Sequence, residues 1–185
     1  MKFDMPVHHN GAIHFISNCA SSIKGNSPYF LPYIMSYNFG DGKSRMLRVP
    51  KEANMSSHDR DMGIFKWGKV GKHSNQSICL VKLRKHVFTV WVLVNYETSL
   101  WKKVFHMKVV SKENDLIVRG FAVLNGDLLV FATEKKVYGI GLTDMMIQEI
   151  CQHKCECNFL RFISYSDTLR TCGIGAETLP LSSHI

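Results

Sequence analysis

The densest run of chemistry-bearing side chains in this 185-residue chain is Cys151-Gln152-His153-Lys154-Cys155-Glu156-Cys157. Thiolates and an imidazole suit zinc, but structural zinc sites usually draw paired C-x(2–4)-C knuckles from two places. Cys151 and Cys155 have a tolerable spacing, whereas Cys155 and Cys157 are separated by one residue. No second knuckle or His pair lies nearby, although Cys172 could approach through the fold. The expectation is loop and strand-end thiols without a metal. Phe39-Gly40-Asp41-Gly42-Lys43-Ser44 ends like a phosphate-binding loop, yet the glycine required five residues before Gly42 is Tyr37. Without it the backbone amides cannot wrap a phosphate, so a hairpin turn is the better reading. Gly139-Ile140-Gly141 lacks the third glycine of a dinucleotide fingerprint. The nine histidines, His8-His9 included, show no H-E-x-x-H repeat. Members of a Cys–His pair need only meet in space, and nothing positively supports one here. The chain reads as non-enzymatic, with no catalytic residue, cofactor or metal.

The elements that must carry any site are strands. Runs rich in Val, Ile, Phe, Tyr and Trp, broken by Gly, Asn, Asp and Pro, repeat along the whole chain. They fall into three quartets: residues 3–8, 12–16, 33–39 and 45–49; then 63–67, 78–84, 87–94 and 101–109; then 117–124, 128–133, 136–142 and 145–151. Residues 159–165 make a thirteenth strand. Segments 101–109 and 143–151 also admit a reading as short helices. Phe88-Thr89-Val90-Trp91-Val92-Leu93-Val94 is apolar on both faces, as a strand between two sheets would be. In 136–142 large residues face one way, while Val137, Gly139 and Gly141 face the other, where a neighbouring sheet has room to approach. Asn10-Gly11 and Asn125-Gly126 occupy the same turn of the first and third quartets, and Asn-Gly is the strongest short hairpin signal. Four-stranded units in series predict an all-β fold. The expected form is a partial β-propeller of about three antiparallel blades plus one extra strand, forming a single domain over 1–185. Three blades do not close a ring, so the chain is expected to be incomplete.

Composition narrows the class further. Hydrophobic content of 45% with 21% charged residues is globular. No apolar run reaches the roughly 20 residues of a membrane-spanning helix, and the first residues lack the apolar core of a secretory signal. A cytosolic or nuclear protein with reduced thiols is expected. The net charge of +8 is uneven. Residues 1–59 carry six basic and four acidic side chains, 60–112 eleven and two, and 113–185 six and nine. A basic segment can attract nucleic acid or an acidic protein. Here Lys66, Lys69, Lys82, Arg84, Lys102 and Lys103 alternate with apolar residues, as on a solvated sheet edge guarded against aggregation. Of the tryptophans, Trp91 is expected in the core. Trp67 and Trp101 are the two that a nucleic-acid interface would use.

Several segments resemble the domain that follows the F-box in plant F-box proteins. Asn10-Gly11-Ala12-Ile13-His14-Phe15-Ile16 is similar to its "NGALHW" strand. Tyr33-Ile34-Met35-Ser36-Tyr37-Asn38 with Met46-Leu47-Arg48-Val49-Pro50 resembles its "ILSFDL…LPLP" pair. The most specific block is Ser77-Ile78-Cys79-Leu80-Val81 with Phe88-Thr89-Val90-Trp91-Val92-Leu93-Val94-Asn95-Tyr96 and Ser99-Leu100-Trp101. It resembles the "LCL…VWVLKDY…SW" signature. Leu124-Asn125-Gly126-Asp127-Leu128-Leu129-Val130-Phe131 and Tyr165-Ser166-Asp167-Thr168-Leu169 also fit, so the resemblance runs over 10–170. It implies a kelch-like, propeller-type recognition domain that serves as the substrate receptor of an SCF ubiquitin ligase. The helical F-box that docks on the Skp adaptor in that family has no counterpart before residue 10, so adaptor binding belongs only to a longer form. What the resemblance implies for this chain is binding of a target protein. A basic nucleic-acid-binding β domain is the alternative and the less favoured one.

Antiparallel quartets also dictate loop direction. Connections between second and third strands, and between successive quartets, emerge at one end. The long connections 17–32, 50–62, 110–116 and 152–158 share it with the short turn Lys85-His86, while the long 67–78 connection lies at the other. Binding residues concentrate on loops held by a rigid scaffold. The expected partner-binding residues are therefore His58, Arg60, Lys85, His86 and Lys112.

Overall fold

The computed structural model describes residues 6–17, 31–53, 62–68, 76–109, 117–154, 160 and 162. Among these residues, twelve strands form three four-stranded antiparallel sheets, each a simple meander. The first sheet holds β1 (Val7–His9), β2 (Ala12–Ser17), β3 (Tyr33–Asn38) and β4 (Ser44–Arg48). The second holds β5 (Met62–Trp67), β6 (Ser77–Arg84), β7 (Val87–Asn95) and β8 (Leu100–Lys108). The third holds β9 (Gly120–Leu124), β10 (Leu128–Ala132), β11 (Lys136–Gly141) and β12 (Ile147–Gln152). A single 3-10 turn, Lys51–Ala53, is the sole helical element among the described residues. The two segments that admitted a helical reading are β8 and, from Ile147, β12. The thirteenth strand lies outside the described residues except for Leu160 and Phe162; Leu160 donates its N–H to the Arg119 carbonyl at the start of the third sheet (3.0 Å).

β1 lies against β5, and β5 against β9, so the first strand of each sheet touches the first strand of the next. This radial stacking of meanders is the partial propeller-type arrangement that the quartets predict. Side-chain alternation explains why the second sheet is central. Ile78 and Leu80 of β6, with Trp91 and Leu93 of β7, point toward the first sheet and meet Val7, Ile34 and Leu47. Cys79 and Val81, with Phe88, Val90 and Val92, point the other way and meet Val123, Leu129, Phe131 and Ile140. The period of two sends alternate residues to opposite faces, so a strand buried on both faces must be apolar throughout. An aromatic ladder runs through the second core: Phe88 lies 5.5 Å from Phe121 edge-on and 5.4 Å from Phe131, which stacks on Tyr138 at 5.2 Å. Pairs of this kind add about 0.5–1.5 kcal/mol each beyond area burial.

Both Asn-Gly pairs form the expected tight turns, with φ of 48° and 67° at Asn10-Gly11 and 52° and 74° at Asn125-Gly126. Gly126 is also a point of close approach, since an added Cβ would lie 2.3 Å from the Gly68 carbonyl oxygen of the second sheet. The β11 glycines turn out differently from expectation. The space above Gly139 is taken by Ile150 and Leu128 of its own sheet, and that above Gly141 by the Asp144 carboxylate.

Candidate partner-binding end

The first and second sheets are clasped at one end and joined through the Lys51–Ala53 turn at the other. At the clasped end the turn after β7 docks on the first sheet. Trp101 Nε1 donates to the Arg48 carbonyl (2.8 Å) and the Arg48 N–H donates to Ser99 Oγ (3.2 Å). Tyr96 shares a hydrogen bond with Ser36 Oγ, carries the Arg45 guanidinium over its ring at 5.6 Å, and meets the edge of His14 at 5.8 Å. Arg45 in turn pairs with Glu97. His14 is 1% exposed; its Nε2 lies 3.4 Å from the His9 carbonyl, and its Nδ1 has no hydrogen-bond partner among the described residues. Burial is the main reason the His14 imidazole sits below the ordinary histidine range; the hydrogen bond to the His9 carbonyl works against it, and the charges of His9 and His8 add to it.

At the other end the chain leaves β4 and makes the 3-10 turn Lys51–Ala53, whose Ala53 is fully buried in the first core. Its carbonyl accepts a hydrogen bond from Lys82 Nζ. Lys103 pairs with Glu52 at 2.6 Å. Between this turn and the face of the second sheet lies a cleft of about 330 Å³, lined by Glu52, Lys82, Arg84, Lys85, Val87, Thr89, Trp91 and His106. Strand register explains the membership. Lys82, Thr89 and His106 are directly opposed across β6, β7 and β8, and so are Arg84, Val87 and Lys108 one step further out. Directly opposed residues point to the same face. Thr89 Oγ1 and His106 Nδ1 lie 3.0 Å apart, which fixes the ring against the sheet.

The turn from β6 to β7 is the two-residue loop Lys85-His86, both in the left-handed region with φ of 47° and 64°. This is the mirror-type hairpin turn that matches strand twist, though glycine and asparagine normally supply it. The His86 carbonyl accepts the Val109 N–H at 2.8 Å, so the connection leaving β8 starts beside this turn. The β6–β7 turn, the exit from β4 and the exit from β8 thus share one end, as antiparallel geometry requires. Lys85 and His86 are exposed there, and Lys85 lines the cleft. His58, Arg60 and Lys112 lie outside the described residues.

Arg84, Thr89 and His106 were not among the expected site residues. The available signal was Lys82 and Arg84 on the face that Ile78 and Leu80 make apolar: cations where alternation calls for core. The other chemistry-bearing motifs resolve as structure. Gly42 N–H donates to the Asn38 carbonyl (3.0 Å) and Lys43 N–H to Asp41 Oδ1 (3.0 Å), so the loop 39–44 is a closed hairpin turn. Cys79 is buried, and burial pushes its thiol up to about 12. Cys151 is exposed on β12, and Cys155 and Cys157 lie outside the described residues. Among the described residues no three His, Cys, Asp or Glu side chains cluster as a metal site. No helix there is long and apolar enough to cross a membrane. Trp91 is a core residue, and Trp67 packs partly buried against the second core. Lys102, Lys103 and Lys108 are exposed on β8, an edge strand. No family model matches the chain, and no curated protein matches it either.

Proposed function

We propose that this protein is a non-catalytic protein-recognition module that engages its partner through the end bearing Lys85, His86 and the adjoining cleft. The observation that carries this reading is the joining of an exposed cationic turn to a 330 Å³ cleft on a sheet held from both sides. Rigid strands hold the floor, while the loops around it are free to vary. The resemblance to F-box-associated domains supplies the class of activity, selection of a target protein for ubiquitylation. Delivery to a ligase through the Skp adaptor would require a form that carries an F-box. The basic segment keeps a nucleic-acid interface as the second reading. Against it, Trp101 spends its indole N–H on Arg48, and Trp67 lies partly buried against a core.

The test is a pull-down from plant extract with the tagged full chain, with and without nuclease, read by mass spectrometry. The same capture is repeated with Lys85 and His86 both changed to Ala. A discrete protein should be retained in both nuclease arms and lost with the double variant at unchanged Tm. Capture that disappears with nuclease, and that weakens steeply with salt as counterion release demands, would transfer the reading to nucleic acid. A partner retained by the double variant would remove this end from the interface.

A further inference from the structure

The cleft also indicates what kind of group it takes. Of its lining residues, Lys82, Arg84 and Lys85 are cationic and His106 adds an imidazole, against one carboxylate, Glu52. That carboxylate is engaged by Lys103. Lys108, opposite Val87 and on the same face as Arg84, extends the cationic rim. Arg84 and Lys85 are exposed, and neither is in an ion pair among the described residues. The floor is different in kind, since Val87 and the flank of Trp91 are apolar. A guanidinium and an ammonium above an apolar floor match a ligand whose anionic tip sits on a short apolar stem.

Building on the recognition reading, we propose that this cleft binds a phosphorylated side chain, phosphoserine or phosphothreonine, on an extended segment of the partner protein. Phosphate carries about −1.5 to −2 charges and three acceptor oxygens. Arg84 offers a planar fork that pairs with two of those oxygens, and Lys85 offers a point charge to the third. A carboxylate presents one charge and two oxygens, so it leaves one of these cations unmatched. At about 330 Å³ the cleft takes a short ligand segment rather than a continuous nucleic-acid backbone, and Val87 and Trp91 offer nothing to successive phosphodiesters. Thr89 contributes by fixing His106 through their 3.0 Å hydrogen bond rather than by contacting the ligand.

The test uses the full chain and an oriented peptide library with one fixed phosphoserine or phosphothreonine in degenerate flanks. The unphosphorylated library, its fixed-Glu counterpart and a single-stranded oligonucleotide serve as comparisons, all read by fluorescence anisotropy. The phosphorylated pool should bind at least tenfold more tightly than the unphosphorylated and fixed-Glu pools. Millimolar inorganic phosphate should compete. Arg84→Ala and Lys85→Ala should each cost tenfold or more at unchanged Tm, whereas Lys102→Ala, elsewhere on β8, should cost nothing. Equal binding of the phosphorylated and unphosphorylated pools overturns the proposal, as does an oligonucleotide that outcompetes both. Phosphatase treatment of the extract used for the pull-down separates the two readings. A partner that survives phosphatase but is lost with the Lys85 and His86 double variant leaves the recognition end standing and sinks the phosphate assignment. A partner untouched by both sinks both.

Discussion

Lys85 and His86 hold the left-handed backbone region without glycine, a conformation costing on the order of 1–3 kcal/mol per residue. Among the described residues, the two-residue turn between β1 and β2, with both residues likewise at positive φ, uses Asn10-Gly11, so a cheaper solution exists within the same fold. Retaining two long polar side chains in a strained turn makes sense where those side chains meet a ligand. Replacing the pair with Asn-Gly should therefore stabilise the protein by about 1–2 kcal/mol, a rise in Tm of roughly 2–8 °C for a chain of this size. Binding of the partner should fall in the same variant. Thermal denaturation together with the pull-down checks both. Unchanged Tm would mean that the turn carries no strain, and retained binding would mean that its side chains are not used.

At the scale of elements, the clasp between the first and second sheets is polar and sensitive to protonation. His14 is enclosed by His9 and Ser36 on its own sheet and by the Tyr96 ring from the second, with Arg45 and Glu97 beyond. Burial holds His14 below its ordinary range; for His9, burial comes first, followed by Lys66 and His8. Each residue thus takes up its proton in the unfolded chain at a higher pH than in the folded one. Stability from this source is full above the unfolded value near 6.5, is lost as pH falls below it, and levels off beneath the folded value. The slope is at most about 1.4 kcal/mol per pH unit for one histidine. Urea melts between pH 7.5 and 5 should show the decline, and His14→Phe, which keeps an aromatic ring against Tyr96, should flatten it in part. A slope identical in that variant would remove His14 as a source. This clasp was hidden in the sequence for a physical reason. His14 and Tyr96 belong to different sheets, and only the docking of the turn after β7 brings them together. The strands themselves were legible because alternation and Asn-Gly turns are local. Lys85-His86 was legible as a turn, but the cleft was not. Thr89 and His106 are seventeen residues apart, and only pairing register sets them side by side. The wall contributed by Lys51–Ala53 depends on how the first sheet packs, which alternation does not encode.

For the whole molecule, the decisive feature is that one sheet belongs to both cores. Ile78, Cys79, Leu80 and Val81 are four consecutive residues with no exposure, two facing each neighbour. Opening β6 or β7 therefore breaks both cores together, so those amides should exchange only through global unfolding. The outer elements have less to lose. All six residues of β12 are exposed, and β12 is hydrogen-bonded on one side only. Just three residues make up β1, at the edge of the first sheet. Hydrogen exchange read by mass spectrometry should rank β6 and β7 as the slowest segments and β12 and β1 as the fastest. Truncating a shared position should be correspondingly costly. Leu80→Ala, at 0% exposure, should lose about 2–5 kcal/mol and accelerate exchange in all three sheets at once. Exchange that quickens in the first and second sheets but not in the third would show that the two cores unfold separately, and that the second sheet does not couple them.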